Sequence, residues 1–264
     1  MSTTATQAYV PGYSSTRKKF QGGRRADLHA CFVLSLIKKD SRILDCGCGT
    51  GSITNDFAAL ASKGEVVGID MAESQIKAAR EAAQEMSLTN THYFQQNLFD
   101  LHQSPNFKEN QFDIVYAHAV LEHLSDPTSA VQQLVRVLKP GGVIALCDAE
   151  WPQISYSPFS AAAQEIMNLY QDRIRANGGD PDVTKHFGSL LNRLGFTDVR
   201  LSAYQEVHQN VAPLAKAVCE AVIKQSNNEQ TKRRCEAFRA WAEKPTSKMV
   251  EVWTAAVGIK PYPA

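Results

Sequence analysis

An excess of charge of either sign is missing from this sequence. Its 264 residues carry 28 Lys and Arg against 27 Asp and Glu, a formal net charge of +1. A chain that gripped nucleic acid through its phosphates would show a basic surplus, so nucleic acid is excluded as an expected partner. Long apolar runs are missing too: none reaches the length of a membrane span, and no signal-peptide core opens the chain. Cysteine is sparse and unpatterned. Cys31, Cys147, Cys219 and Cys235 stand singly, no C-x-x-C occurs, and Cys46 and Cys48 are too close along the chain for an ordinary bridge. They read as small buried residues in a reducing compartment, the cytoplasm. Acid is absent from the first 26 residues, which also fits a mitochondrial transit peptide. There is no internal repeat and no low-complexity tract. What is present suffices for a core: 44% hydrophobic residues in a chain of this length suit one α/β domain over residues 1–264.

Ile43-Leu44-Asp45-Cys46-Gly47-Cys48-Gly49-Thr50-Gly51 is the most informative stretch. A short apolar strand breaks into a glycine-rich turn, and Ser52–Leu60 reads as the following helix. Glycine there lets a ligand approach the backbone more closely than a Cβ would allow. Asp70 ends the next apparent strand, Glu65–Ile69, where a carboxylate is placed to bind two ribose hydroxyls. A nucleoside-bearing cofactor is implied. A dinucleotide turn would carry a third glycine where Ser52 stands. Asp45, just before the turn, would repel a pyrophosphate but can pair with an ammonium group. Adenosine joined to an α-amino acid suits both features.

With these residues in view, D-C-G-C-G-T-G resembles motif I of the class I S-adenosylmethionine-dependent methyltransferases. Further segments match in the family's order. Val67–Met71 resembles the ribose-binding strand end, Gln95–Leu98 the adenine-contacting segment, and Phe112–His118 the fourth strand. Leu121–Leu124 and Val137–Gly142 resemble the helix and turn before the fifth strand. The resemblance covers roughly residues 24–150 well and the remainder weakly, and it points to the small-molecule subgroup that includes ubiquinone and menaquinone methyltransferases and enzymes of secondary metabolism. It implies S-adenosyl-L-methionine as cofactor, S-adenosyl-L-homocysteine as product, and a small organic acceptor. The rival reading keeps fold and cofactor but catalyses a cyclisation or rearrangement. The oligomeric state is not legible; a homodimer is compatible with the sequence.

Strands alternating with helices imply a Rossmann-like, doubly wound, seven-stranded and mostly parallel sheet with right-handed crossovers. Arg24–Ile37 has helical spacing and precedes strand one. Ala72–Met86 reads as a helix, Thr91–Gln96 and Gln111–Ala117 as strands, and Pro127–Leu138 as a helix capped near Asp126. Gly142–Cys147 is the fifth strand, Asp198–Tyr204 the sixth, and Lys248–Val257 an antiparallel last strand. Ser160–Ala176, Asp182–Leu194, Pro213–Ser226 and Glu229–Glu243 read as helices. The expected organisation is a flexible arm over residues 1–23, a cofactor-binding core over 24–150, and substrate-covering lid elements over 151–181 and 205–245. The basic run Arg17-Lys18-Lys19 with Arg24-Arg25 reads as a solvated face.

Cofactor contacts are expected from Asp45, Gly47, Cys48, Gly49, Gly51, Asp70, Met71, Gln75, Asn97, Leu98, Ala117 and His118. His118 and Glu150 are the candidates for catalysis, since both follow strands at the expected cofactor edge. Tyr13 and Trp151 are candidates for the acceptor wall, with Tyr13 closing over the site from the arm. Asp148, His29, His186 and Tyr204 are weaker candidates. His118 and His123 stand five residues apart across a strand-to-turn junction, poor spacing for a metal pair, so no metal is expected. Transfer of an activated methyl group needs alignment and exclusion of water more than it needs a general base.

Overall fold

The computed structural model describes residues 22–263. Two short helices, α1 (Ala26–His29) and α2 (Cys31–Leu34), lead into β1 (Arg42–Cys46). Then come α3 (Ser52–Leu60), β2 (Glu65–Asp70), α4 (Glu73–Glu85) and β3 (Thr91–Gln95). Next are β4 (Phe112–His118), α5 (Pro127–Val137), β5 (Leu138–Ala149), the three-residue β6 (Ser155–Ser157) and α6 (Ala161–Ala176). The chain continues through α7 (Phe187–Arg193), β7 (Thr197–His208), α8 (Ala212–Gln225), α9 (Glu229–Ala242) and β8 (Lys248–Ile259).

The sheet runs β3-β2-β1-β4-β5-β8, and β7 lies on the far side of β8. Strands β1 to β5 pair in parallel, and β8 is antiparallel to both β5 and β7. These seven strands are the expected architecture. The eighth, β6, pairs with residues 248–250 of β8 beyond the end of β5 and is too short to show a strand period. Adjacent residues of the central strands are both buried: Ile43 and Leu44 are each 0% exposed. That continuous burial is what a parallel sheet covered on both faces requires. One face carries Ile43, Ile114 and Tyr116 against Val33 and Phe57; the other carries Leu44, Val115 and Leu146 against Leu134 and Phe187.

Caps follow the sequence closely. Asp126 accepts from Ser129 N, Ser160 from Ala163 N and Asn228 from Thr231 N at the starts of α5, α6 and α9. The single helix expected over Arg24–Ile37 is instead two, broken at Ala30. The Tyr116 hydroxyl donates to the carbonyl of His29 at 2.9 Å, occupying an acceptor that continued helix would use. The helix expected over Asp182–Leu194 begins as a 3₁₀ turn, Val183–His186, before α7. Strand β7 extends to His208, four residues beyond expectation, because Gln205–His208 find register partners Val252–Met249 on β8.

Helices α6, α8 and α9 pack on one another through Ile166, Tyr170, Val218, Val222 and Phe238. This cluster adjoins Cys147, Ala149 and Trp253 near the sheet's edge, so the two insertions share one apolar centre.

Phe57 is fully buried with its ring edge-on to Tyr116 at 5.1 Å. Phe57→Ala is expected to lower unfolding free energy by about 3–5 kcal/mol, read from the urea midpoint; a loss under about 1 kcal/mol would show that this face of the core refills.

Candidate functional site

The turn after β1 is built by two amides on one carbonyl. Gly47 N and Cys48 N both donate to Ile69 O, at 2.8 and 2.9 Å, which fastens the turn to the end of β2. Gly47 has φ +72°, and a Cβ there would meet Val120 Cγ2 at 2.4 Å. Gly49 has φ +54°, and a Cβ there would meet nothing within 4 Å, so its backbone borders open space. Both positions need glycine for conformation, and Gly47 needs it for space as well.

Asp70 closes the turn from the other side. Its Oδ2 accepts from Gly49 N at 3.1 Å and its Oδ1 from Ala72 N at 2.9 Å. Burial raises its pKa, and the two backbone amides oppose that rise. Both oxygens are therefore fixed in orientation.

Asp45 is 3% exposed, and its Oδ2 accepts from Thr54 Oγ1 at 2.5 Å. Burial pushes its pKa up to about 7; Thr54 pulls it down, and the charge of Asp70 adds to the rise. The carboxyl lines a small cleft with Arg24, Gly47, Gly49, Tyr116 and His118. The Arg24 guanidinium lies 5.3 Å from the centroid of the Trp253 ring, a cation–π distance. An acid and a cation therefore line the same cleft. The sequence reads Arg24 as part of a solvated run; the structure moves it into the site, held by a ring from the last strand.

His118 is 5% exposed and stacks on Trp253 at 4.5 Å. Its Nε2 lies 3.1 Å from the Tyr204 hydroxyl, and its Nδ1 has no hydrogen-bond partner among the described residues. Burial, then the charge of Arg24, then His29, hold its pKa well below the usual histidine range, so the ring is neutral. Tyr204 enters here as a support for that ring, and its own pKa is raised by burial.

The remaining candidates fall in several places. Cys48 is buried, its Sγ 3.7 Å from Gly49 O, with burial raising its thiol pKa. Gly51 has φ +79° and precedes α3. Met71 is exposed, and its carbonyl accepts from Gln95 Nε2 at 3.1 Å. Gln75 is buried on α4. Asn97 accepts from Phe99 N and caps the 3₁₀ turn in which Leu98 is buried. Ala117 is fully buried beside His118 in β4. Trp151 is buried, donates from Nε1 to Glu122 Oε2 at 2.6 Å, and packs against Tyr170 of α6 at 5.2 Å. Glu150 is nearly buried, and its backbone N–H bonds Val252 O at 2.7 Å. Asp148 is fully buried; its Oδ1 accepts from Glu122 N at 3.4 Å, and burial and Glu122 raise its pKa. Tyr13 and nearly all of the 1–23 arm lie outside the described residues.

A glycine turn at the end of β1 with an acid at the end of β2, both at the carboxyl edge of a parallel sheet, defines an α/β protein that binds a nucleoside cofactor. The family model described as a methyltransferase domain matches residues 37–195. The ltbC protein of Aspergillus luteorubrus, named a probable methyltransferase, is 37% identical over 154 residues, 56% of this chain and 53% of its own. The demethylmenaquinone methyltransferase of Listeria welshimeri is 32% identical over 122 residues, 46% of this chain and 50% of its own. Among solved structures, a Bacillus halodurans protein superposes with a TM-score of 0.64 at 20% identity, over 90% of this chain and all of that one. The chain belongs to the class I S-adenosylmethionine-dependent methyltransferases. It spans about half the length of the curated relatives it matches.

Thr54→Val removes the side-chain hydrogen bond that Thr54 donates to Asp45. We expect about 1.5–3 kcal/mol of lost stability at pH 8, where the carboxylate is charged. At pH 5.5, where it is protonated, the loss should be smaller. Urea titrations at both pH values check this; equal losses would show that the ionised form gains nothing from Thr54.

Proposed function

We propose that this protein transfers a methyl group from S-adenosyl-L-methionine to a small organic acceptor, by alignment within a covered cleft. The observation that carries the reading is the pairing of a buried carboxyl, Asp45, with a cation, Arg24, in one small cleft beside the glycine turn. An α-amino acid end carries an ammonium and a carboxylate, so a cleft lined by one acid and one base matches it. Burial lifts Asp45 to about 7, and Arg24, though it lines the same cleft, is not among the groups that lower it. In this reading Asp45 holds the ammonium, Arg24 the carboxylate and Asp70 the ribose hydroxyls, while the bare backbone at Gly49 leaves room for close approach. Met71, Asn97 and Leu98 border the adenine end, Gln75 the ribose, and Ala117 and His118 the methionyl end.

The cofactor supplies an activated methyl group on a sulfonium, so the protein's task is placement and exclusion of water. His118, neutral and backed by Tyr204, is the polar group we assign to the acceptor side, with Glu150 as the candidate acid. Residues 24–150 form the cofactor-binding core. The helices α6, α8 and α9 act as the cover, with Trp151 tying the cover to Glu122. A small acceptor accords with the near-zero net charge and with the quinone-type substrate named for the Listeria relative. No helix of the described residues is long and apolar enough to cross a membrane. The buried free cysteines support a reducing compartment.

Titration calorimetry with S-adenosylmethionine and S-adenosylhomocysteine tests the reading directly: both should bind, and absence of binding by the folded protein would refute it. The pH profile follows from Asp45. Its proton must leave before the carboxylate can pair with an ammonium, so affinity should rise with pH up to about 7, approaching tenfold per unit well below that point. An α-amino group itself deprotonates near 8, so affinity should peak between about 7 and 8. A flat profile from pH 5.5 to 8 would remove Asp45 from the role.

Arg24→Gln separates the two ends of the cofactor. It should weaken S-adenosylhomocysteine about tenfold, or roughly 1.4 kcal/mol, and leave 5′-methylthioadenosine, which lacks the amino acid, unchanged. Equal losses for both ligands would show that Arg24 acts on the fold instead.

A further inference from the structure

Glu206 and His208 on β7 and Glu251 on β8 lie on one face of the sheet. Glu206 is the direct cross-strand partner of Glu251 in the register. Two carboxylates placed opposite one another repel, and here Glu251 is buried and Glu206 and His208 are only partly exposed. One donor atom from each of the three residues lies within 4.8 Å of the others. His208 Nε2 is 2.8 Å from Glu251 Oε2 and 3.8 Å from Glu206 Oε2.

A fourth group reaches the same place from a different element. His29, at the end of α1, is 3% exposed. Its Nε2 stands 3.4 Å from Glu206 Oε2 and has no other polar partner among the described residues. Its Nδ1 lies 2.9 Å from the carbonyl of Arg25 and 3.0 Å from the Arg25 N–H, so the ring can carry its proton on either nitrogen. With the proton on Nδ1, donated to the carbonyl, the lone pair of Nε2 faces Glu206, the arrangement by which proteins orient a histidine toward a metal. Four donors bonded to one ion at about 2.0–2.1 Å would stand about 3.4 Å apart in a tetrahedron. Three of the separations, 2.8, 3.4 and 3.8 Å, straddle that edge.

We propose that His29, Glu206, His208 and Glu251 form a site for one divalent transition-metal ion. Two imidazoles and two carboxylates favour zinc over magnesium or calcium, which prefer all-oxygen shells. Two carboxylates and a dication cancel, which resolves the cross-strand repulsion. The ion would join α1 to the β7–β8 ribbon. The His29 ring lies 5.5 Å, edge-on, from that of His118, so the site would brace the wall of the cofactor cleft without entering it. The bland alternative is a metal-free network in which a protonated His208 pairs with Glu251 and Glu206, with Arg24 nearby.

The test uses the full chain, stripped with a chelator and titrated with zinc chloride, magnesium chloride and cobalt chloride. Zinc should bind with one-to-one stoichiometry and raise the melting temperature, and magnesium should do neither. Cobalt should give the visible bands of a tetrahedral nitrogen–oxygen site without a thiolate charge-transfer band. Glu206→Gln, His208→Ala and His29→Ala should each weaken zinc at least tenfold. S-adenosylhomocysteine binding by the metal-free variants serves as the check that they fold. The proposal is overturned if zinc does not bind, if the three variants bind it as wild type does, or if cobalt reports thiolate ligation at the cysteines. Loss of S-adenosylhomocysteine binding by the wild type would count against the proposed cofactor and leave this site standing.

Discussion

One carbonyl, that of Ile69, receives two amides from the glycine turn, and much of the site depends on that double hydrogen bond. It fixes the turn to the end of β2, so Asp70 stands close enough to the cleft-lining Asp45 for its charge to raise the Asp45 pKa. Asp70 then closes the loop by binding Gly49 N. The interlock is local, yet a parallel sheet is needed to supply it: only parallel pairing brings the ends of β1 and β2 side by side. The core on either face of the sheet therefore serves the site by holding two strand ends level.

The cleft sets unlike charges within one small space, and burial makes that of Asp45 costly. Among the described residues Asp45 is held by the Thr54 hydroxyl, and Arg24 rests on an indole face. Both are ready for a ligand that brings the complementary charges, which is how a binding site stores affinity in preorganised groups. His118 follows the same logic, since its burial and its cationic neighbour keep the ring uncharged.

The legible part of the molecule was the part written in consecutive residues. The strand–turn–helix around Gly47, the acid ending β2, and the cap at Asp126 each declare themselves within a few positions, because backbone geometry there is decided locally. The parallel pairing of the central strands followed from the alternation of strands and helices. Other features depended on partners distant in sequence. The break at Ala30 is caused by a tyrosine on β4. Arg24 looked solvated because Trp253, the ring that holds it, lies at the other end of the chain. Strand β6 is too short to show a period. The His29, Glu206, His208 and Glu251 group has no spacing to read, since α1, β7 and β8 meet only in the fold. Trp151 follows β5, as its position indicated, while the bond from its indole N–H to Glu122 joins residues 29 apart and had no local pattern to show it.

Strand β8 carries a consequence of its own. It is bonded to β5 and β6 along one side and β7 along the other, and it follows all three in the chain. During vectorial synthesis β5 and β7 emerge with bare edges and wait for a strand still to be made. Long-range pairing of this kind is slow and exposes open strand edges while it is pending. The first half of the sheet, β1 to β5, has its neighbours at hand much earlier. The nascent protein thus passes through a stage in which the glycine turn is already assembled while the Trp253 side of the cleft does not yet exist, and the cation that Trp253 holds has nowhere to rest until the last strand arrives.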